Sequence, residues 1–426
     1  MWWRIKLSGS MSRKGIIPIH LVAVILVLVF AAGCANAPEA LPVPPAPPPA
    51  SVVVTTTTST QTIASSTSTE ASTPAGTTTP GSTTSSTAAA VISIKSNQAT
   101  VSFPDSISFS LSATGTVAVQ SVSLEYGSDR RTLAPEVQYS KPSFIPGKNV
   151  EASWSWEMKK TGSVPPGATV WWAWVITDET GQTTTTPEQS IVYEDARFKW
   201  EKGQYADYDI YWHDQSEALI QELLNEVQAR LARIDLGVVI PAERKPKVFI
   251  YRSSDELKDA VLFEHEWTGA LAYSDFNIIL TAVSSTSLKW AKGALPHEIT
   301  HLLVHEATFG PFGDMPVWLN EGLAEHVEPV MPDDLKKALS TAISKGTLIS
   351  VQSLGSGFPT DQAGATLAYA ESASIVSFLV EEFGWEKMRQ LLAAFKDGAT
   401  NDAALKQAYS FDVNGLELRW KKHIGA

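Results

Sequence analysis

The sequence predicts a multidomain chain in which an all-β sandwich precedes an α+β domain, and three changes of pattern along it predict this order. Up to residue 90 the composition supports no packed core outside one apolar run. Between residues 91 and 194 apolar and polar residues alternate in short stretches. Beyond residue 205 the period lengthens from two to between three and four, the spacing of an amphipathic helix.

At the start of the chain Arg4, Lys6, Arg13 and Lys14 precede an apolar run over 16–32 that only Pro18 and His20 interrupt, which is the layout of a secretory signal. The run ends in Ala31-Ala32-Gly33-Cys34, which resembles a bacterial lipobox cleaved before a lipid-modified cysteine. Cys34 is then the lipid anchor. An uncleaved signal anchor is the alternative, the run being slightly short of the roughly 20 apolar residues that span a bilayer. Residues 1–33 are thus read as signal peptide or membrane anchor. Either way the remainder is expected to be extracytoplasmic and anchored to the cell membrane.

Cys34 is the single cysteine of the 426 residues, so no intramolecular disulfide is available and stability must come from burial and bound metal. A net charge of -12 speaks against a nucleic-acid partner, which calls for a basic face. Residues 34–90, Pro-rich over 42–49 and then dominated by Ser and Thr, read as a disordered linker whose role is reach.

The alternating stretches Val91-Ile92-Ser93-Ile94, Ile107-Ser108-Phe109-Ser110-Leu111, Val117-Ala118-Val119 and Val122-Ser123-Leu124-Glu125-Tyr126 are separated by turn residues. Trp154-Ser155-Trp156 and Trp171-Trp172-Ala173-Trp174-Val175 continue the pattern. They predict an antiparallel sandwich of immunoglobulin or fibronectin type over 91–194. The tryptophans admit a sugar platform, and hence a surface glycan or protein partner. Their period-two placement favours the sandwich core.

In the α+β domain, 195–426, Ala218, Leu219, Leu223, Val227, Leu231 and Ile234 predict an amphipathic helix of about five turns. Lys247-Val248-Phe249-Ile250-Tyr251 and Asn277-Ile278-Ile279-Leu280 read as strands, with a helix over 255–263 between them. Residues 374–383 and 386–395 are apolar at helical spacing with Gly384 as a stop between them, and 416–423 forms a last short helix.

The chemistry gathers at His297-Glu298-Ile299-Thr300-His301. Histidines four apart on a helix project from one face and can share an ion, and Glu298, one position round, reaches a water at that ion, as a general base must. Pro296 suits a first helical turn. Beyond His301 the run Trp318-Leu319-Asn320-Glu321-Gly322-Leu323-Ala324-Glu325, whose Glu321 stands twenty residues on, predicts a second short helix with two carboxylates four apart. A catalytic zinc takes three protein ligands and leaves one position to water, so a third ligand is required.

With both runs in view, the sequence from about residue 199 to the C-terminus resembles the gluzincin peptidases, the thermolysin-like group, and within it the bacterial peptidase-MA-like proteins. The resemblance implies a thermolysin-like zincin fold for 195–426, with Zn2+ held by His297, His301 and Glu321. It implies Glu298 as base and proton shuttle, and Glu325 as the carboxylate that orients His297. Tyr369, in Leu367-Ala368-Tyr369-Ala370-Glu371-Ser372, stands where relatives carry a Tyr or His that steadies the developing oxyanion; a packing role is the alternative. The stretch 269–280 corresponds to the edge strand beside the cleft, able to pair with an extended peptide. It lacks the Gly-x-Met-Glu-Asn signature of zinc aminopeptidases, which points to an endopeptidase or oligopeptidase.

His305 continues the four-residue ladder and competes for the third-ligand role. Each step of four turns the helix by about 40°, so three successive rungs do not close on one tetrahedral ion. A metzincin third histidine would stand six residues after His301, where this chain has Ala307. His265 and His326 lack supporting spacing and read as surface or packing residues. The expected function is hydrolysis of peptide or protein substrates by an exported, membrane-tethered zinc peptidase. Its rivals are a non-catalytic surface binding protein on a zinc-bearing scaffold, and a zinc hydrolase of cell-wall peptides or other amides.

Overall fold

The structure is a computed structural model that describes residues 52–53, 91–161, 164–262, 269–310 and 315–426. The expected signal, Cys34, most of the expected linker and His265 lie outside the described residues.

The first sheet contains β1 (Val52–Val53), β2 (Ile92–Ser102), β3 (Ser106–Ser128), β4 (Gln138–Ser140), β5 (Gly147–Glu157), β6 (Thr169–Asp178), β7 (Thr183–Thr185) and β8 (Gln189–Val192). All its pairings are antiparallel. β1 falls inside the stretch read as linker and pairs with Thr100 and Val101. A single turn, α1 (Met158–Thr161), ends β5.

The alternating stretches over 107–126 are one 23-residue strand, β3, not three short ones. Gly115 and Thr116, read as turn residues, are absorbed by irregularities at Thr114/Val119 and Val119/Ser121, which bend a strand without ending it. The N-terminal part of β3 pairs with β2 and β5, the C-terminal part with β4 and β6. The bent strand folds over its own core: Phe109 lies 6.2 Å from Tyr126 and 5.4 Å from Trp172, ring centre to ring centre. Trp156, Trp172 and Trp174 are buried in that core, and Asn97 Oδ1 accepts the indole N–H of Trp172 at 2.7 Å and of Trp174 at 3.1 Å.

The second sheet runs β12 (Ala270–Tyr273), β13 (Ile278–Ala282), β11 (Lys247–Tyr251), β10 (Tyr208–Trp212), β9 (Glu201–Tyr205). Its three central strands are parallel, while β9 and β12 are antiparallel edges. The β9–β10 hairpin, turned through Ala206 at φ 49, is an addition to the strands read from sequence. Between β10 and β11 lies α2 (Glu217–Leu231), capped by Ser216, whose Oγ accepts the Leu219 N–H, and three residues shorter than its apolar spacing suggests. Between β11 and β12 lies α3 (Ser254–Ala260), ending before the expected 263.

β11 and β13 are apolar at nearly every position, the signature of strands buried on both faces. On one face Val248, Ile250 and Ile279 pack with Ile220, Leu223 and Val227 of α2 and with Leu295, Ile299 and Leu302 of α4 (Leu288–Thr308). On the other, Phe249, Tyr251, Ile278 and Leu280 share a core with Phe103, Trp156, Tyr193 and other residues of the first sheet region. Gly167 marks the closeness of that packing: a Cβ there would come within 2.4 Å of the Phe249 ring.

The remaining helices are α5 (Val317–Glu325), α6 (Asp333–Lys345), α7 (Val351–Leu354), α8 (Gln362–Lys396), α9 (Asn401–Tyr409) and α10 (Val413–Ile424). They close over a third core that includes Trp318, Leu323, Ile375, Leu379, Leu405 and Trp420. Gly384, at φ 78 and ψ 168, breaks α8 into two helical halves at the stop expected from sequence, although the first half begins twelve residues before the expected 374. A sheet-rich region, 92–212, is thus followed by a largely helical one.

Candidate metal centre

α4 carries the paired histidines in mid-helix. It starts at Leu288, so Pro296 is an interior residue and not a first-turn one. Tertiary burial of Ala291, Ala294 and Leu295 outweighs the hydrogen bond that an interior proline forfeits. The next turn is held by Thr300, whose Oγ1 donates to the Pro296 carbonyl at 2.8 Å.

His297, Glu298, His301 and Glu321 are all buried, at 5%, 0%, 2% and 1% exposure. α5 brings Glu321 to the histidines: its Oε2 lies 3.6 Å from His297 Nε2 and 3.7 Å from His301 Nε2. Among the described residues none of these three atoms has a hydrogen-bond partner. A buried polar atom left unpaired is costly, and three converging on one point call for a cation. Ligand atoms around a tetrahedral zinc stand roughly 3.4 Å apart, which these separations match. Among the described residues His297, His301 and Glu321 are the one such cluster that could hold a metal ion.

The electrostatics agree. Burial lowers His297 to about 3 and His301 to about 4, the latter with Glu321 pulling upward and His297 downward, so both rings are neutral near pH 7 and offer a lone pair. Burial pushes Glu321 up to about 7 against the pull of His301, and Glu325 up to about 8 with the charges of Glu321, Glu328 and Asp334 adding. Glu298 is pushed well above the carboxylate range by burial and by Glu321, with the Ala272 backbone N–H pulling it down. Glu298 therefore lies between the ligand cluster and edge strand β12.

Around the cluster stand residues that face its imidazoles. Glu325 Oε1 lies 3.6 Å from His297 Nδ1. Asn320 Oδ1 lies 3.2 Å from His301 Nδ1. The sequence reading gave Asn320 no role, although its place directly before Glu321 is the available signal. Gly322 lets α5 approach α8: a Cβ there would come within 2.4 Å of the Ser372 carbonyl oxygen and 2.6 Å of Val376.

Tyr369, on α8, is buried, with its ring 5.0 Å from Phe358 in an edge-to-face contact. Its hydroxyl is driven above the phenol range by burial and then by the charges of Glu321, Glu325 and Glu298, so it remains a donor within the field of the site. Two residues on, Glu371 is fully buried and accepts the Ile349 N–H at 2.9 Å. His305 lies outside the cluster, with its Nε2 3.1 Å from Asp275 Oδ1. His326 packs on Trp385, its Nδ1 3.2 Å from Ser377 Oγ.

Residues 227–426, a little under half of the chain, match the family model described as the Peptidase MA superfamily. The match supports a gluzincin-like peptidase superfamily for the segment that carries His297, His301 and Glu321. No curated protein matches the chain. A solved structure titled "Crystal structure of Br derivative BhCBM56" is similar over 22% of this chain and 90% of that one, at 10% identity and a TM-score of 0.16, a likeness too weak to bear on fold or function.

Proposed function

We propose that the chain is a zinc metallopeptidase of endopeptidase or oligopeptidase type. The observation that carries this is the convergence of three unpartnered, buried ligand atoms beside an equally buried glutamate. Bound there, zinc would polarise a substrate carbonyl and lower the pKa of a water molecule.

The chain's own residues supply the rest. Glu298, raised in pKa by its apolar surroundings, is suited to take a proton from the attacking water and deliver it to the leaving amine. Tyr369, held protonated within the field of Glu321, Glu325 and Glu298, would serve as the donor to the oxyanion. The outer edge of β12 leaves main-chain groups with which an extended peptide can pair, and Ala272 on that strand abuts Glu298. We further propose that the protein works outside the cytoplasm, held to the membrane through Cys34 or an uncleaved anchor.

The test is metal content followed by cleavage of a mixed peptide library by the wild type and Glu298→Gln. One zinc per chain, with activity in the wild type and a loss of about 100-fold or more in a variant that keeps its zinc, is expected. Zinc binding without turnover of any peptide would leave a binding protein on a metal scaffold, and cleavage of cell-wall amides alone would redirect the substrate.

A further inference from the structure

His305 continues the histidine ladder yet takes no part in the cluster, and its partner is Asp275. This residue sits at the tip of the β12–β13 hairpin, in the single 3-10 turn Ser274–Phe276, where the left-handed Asn277 (φ 53) reverses the chain. Asp275 Oδ1 faces His305 Nε2, one helical turn beyond His301 on α4. Its Oδ2 accepts from Arg130, with Nε at 3.0 Å and Nη2 at 2.9 Å, and its carbonyl accepts the Arg131 N–H at 2.8 Å. Burial pushes the Asp275 carboxyl up, and His305 and Arg130 more than reverse this, so it is ionised and doubly held. One aspartate thus ties together the edge-strand hairpin, the ligand-bearing helix and the loop that follows β3.

Arg131 makes a separate attachment. Its guanidinium pairs with Glu306 and lies 3.7 Å over the Phe309 ring, at the C-terminal end of α4. This contact joins the sheet region to α4 without involving the hairpin through a side chain.

We propose that Asp275 and Arg130 are positioning residues for the reaction: from outside the ligand shell they fix β12 at its distance from α4, and so set the width of the channel in which a peptide lies beside Glu298. This rests on the peptidase reading above. It makes residues of the first sheet region part of the substrate-binding machinery.

The experiment compares Arg130→Met, Arg130→Lys, Asp275→Asn and Arg131→Met in the full chain. Zinc content, KM, kcat and amide hydrogen exchange over 270–276 and 297–301 are measured for each. Arg130→Met and Asp275→Asn are expected to keep one zinc and near wild-type kcat, to raise KM about tenfold and to lose about tenfold protection over 270–276, leaving 297–301 protected. Arg130→Lys restores much of both. Arg131→Met, which removes the neighbouring attachment alone, leaves KM and the exchange of 270–276 unchanged. Equal effects from Arg130→Met and Arg131→Met would show ordinary interface glue and overturn the assignment, as would unaltered exchange in a folded Asp275→Asn. The exchange measurement needs no turnover, so an inactive wild type would sink the peptidase reading and leave this one separately decided.

Discussion

At the residue scale, ligand and support are distinguishable by what each removal does. Glu321→Ala takes away one of the three proposed ligands and should abolish stoichiometric zinc binding, measured by metal analysis after dialysis. Asn320→Ala and Glu325→Gln should keep the ligands while freeing the imidazoles they orient, lowering zinc affinity about 10- to 100-fold in a competition titration. His305→Gln should retain full zinc affinity, since its partner is Asp275. The pairing of His297 and His301 was legible because helical periodicity converts spacing into direction, whereas Glu321 joined them only through the family resemblance. Asp275 was illegible because no local rule links it to His305, thirty positions away, or to Arg130 in the loop after β3.

At the element scale, α5 works because Gly322 lets it lie against α8. Adding one methyl group should force the helices apart, destabilising the protein by about 1–3 kcal/mol and weakening zinc binding through the displaced Glu321. Gly322→Ala, followed by denaturant unfolding and zinc titration, reads both. The motif named this glycine but not its purpose, which depends on the Ser372 carbonyl fifty residues downstream. Pro296 teaches the converse. A proline inside a helical pattern ordinarily marks a start, and here burial of the preceding two turns carries α4 through it. For β3, alternation gave the correct faces but the wrong breaks, because a bulge and a turn use the same residues.

At the scale of the whole molecule, the buried titratable groups set the pH range over which the metal-free protein is stable. Glu371, at about 7, Glu321, at about 7, and Glu325, at about 8, have folded values above the 4.5 of the free side chain. The folded state binds more protons, so their contribution is present below pH 4.5 and is lost as the pH rises through 7 and 8. His297 and His301 act oppositely: their values lie below 6.5, and their contribution is present above that pH and lost as it falls through 4 and 3. Above pH 6.5 the carboxylates act alone. Thermal melts of chelator-treated protein should therefore show Tm falling between pH 6.5 and 8. Saturating zinc should reduce that fall, because a cation keeps Glu321 ionised.

The same scale explains why composition suggested two neighbours where the core is shared. β11 and β13 read as fully buried strands, but nothing local says what covers their second face; the cover is Trp156, Tyr193 and their surroundings. A chain beginning at residue 195 would expose Phe249, Tyr251, Ile278 and Leu280, each costing about 1.5–3 kcal/mol of lost burial. It should be insoluble or unfold without a cooperative transition, whereas the longer chain beginning at residue 91 should stay in solution.

That shared core also imposes an order on assembly. A polypeptide is made from its N-terminus, so β3 and its partners are complete before β11 and β13 exist, and they offer those strands a surface on which to settle. His297, His301 and Glu321 follow later, and α8, against which Gly322 seats α5, later still. A nascent chain therefore passes most of its synthesis before His297, His301 and Glu321 can be brought together.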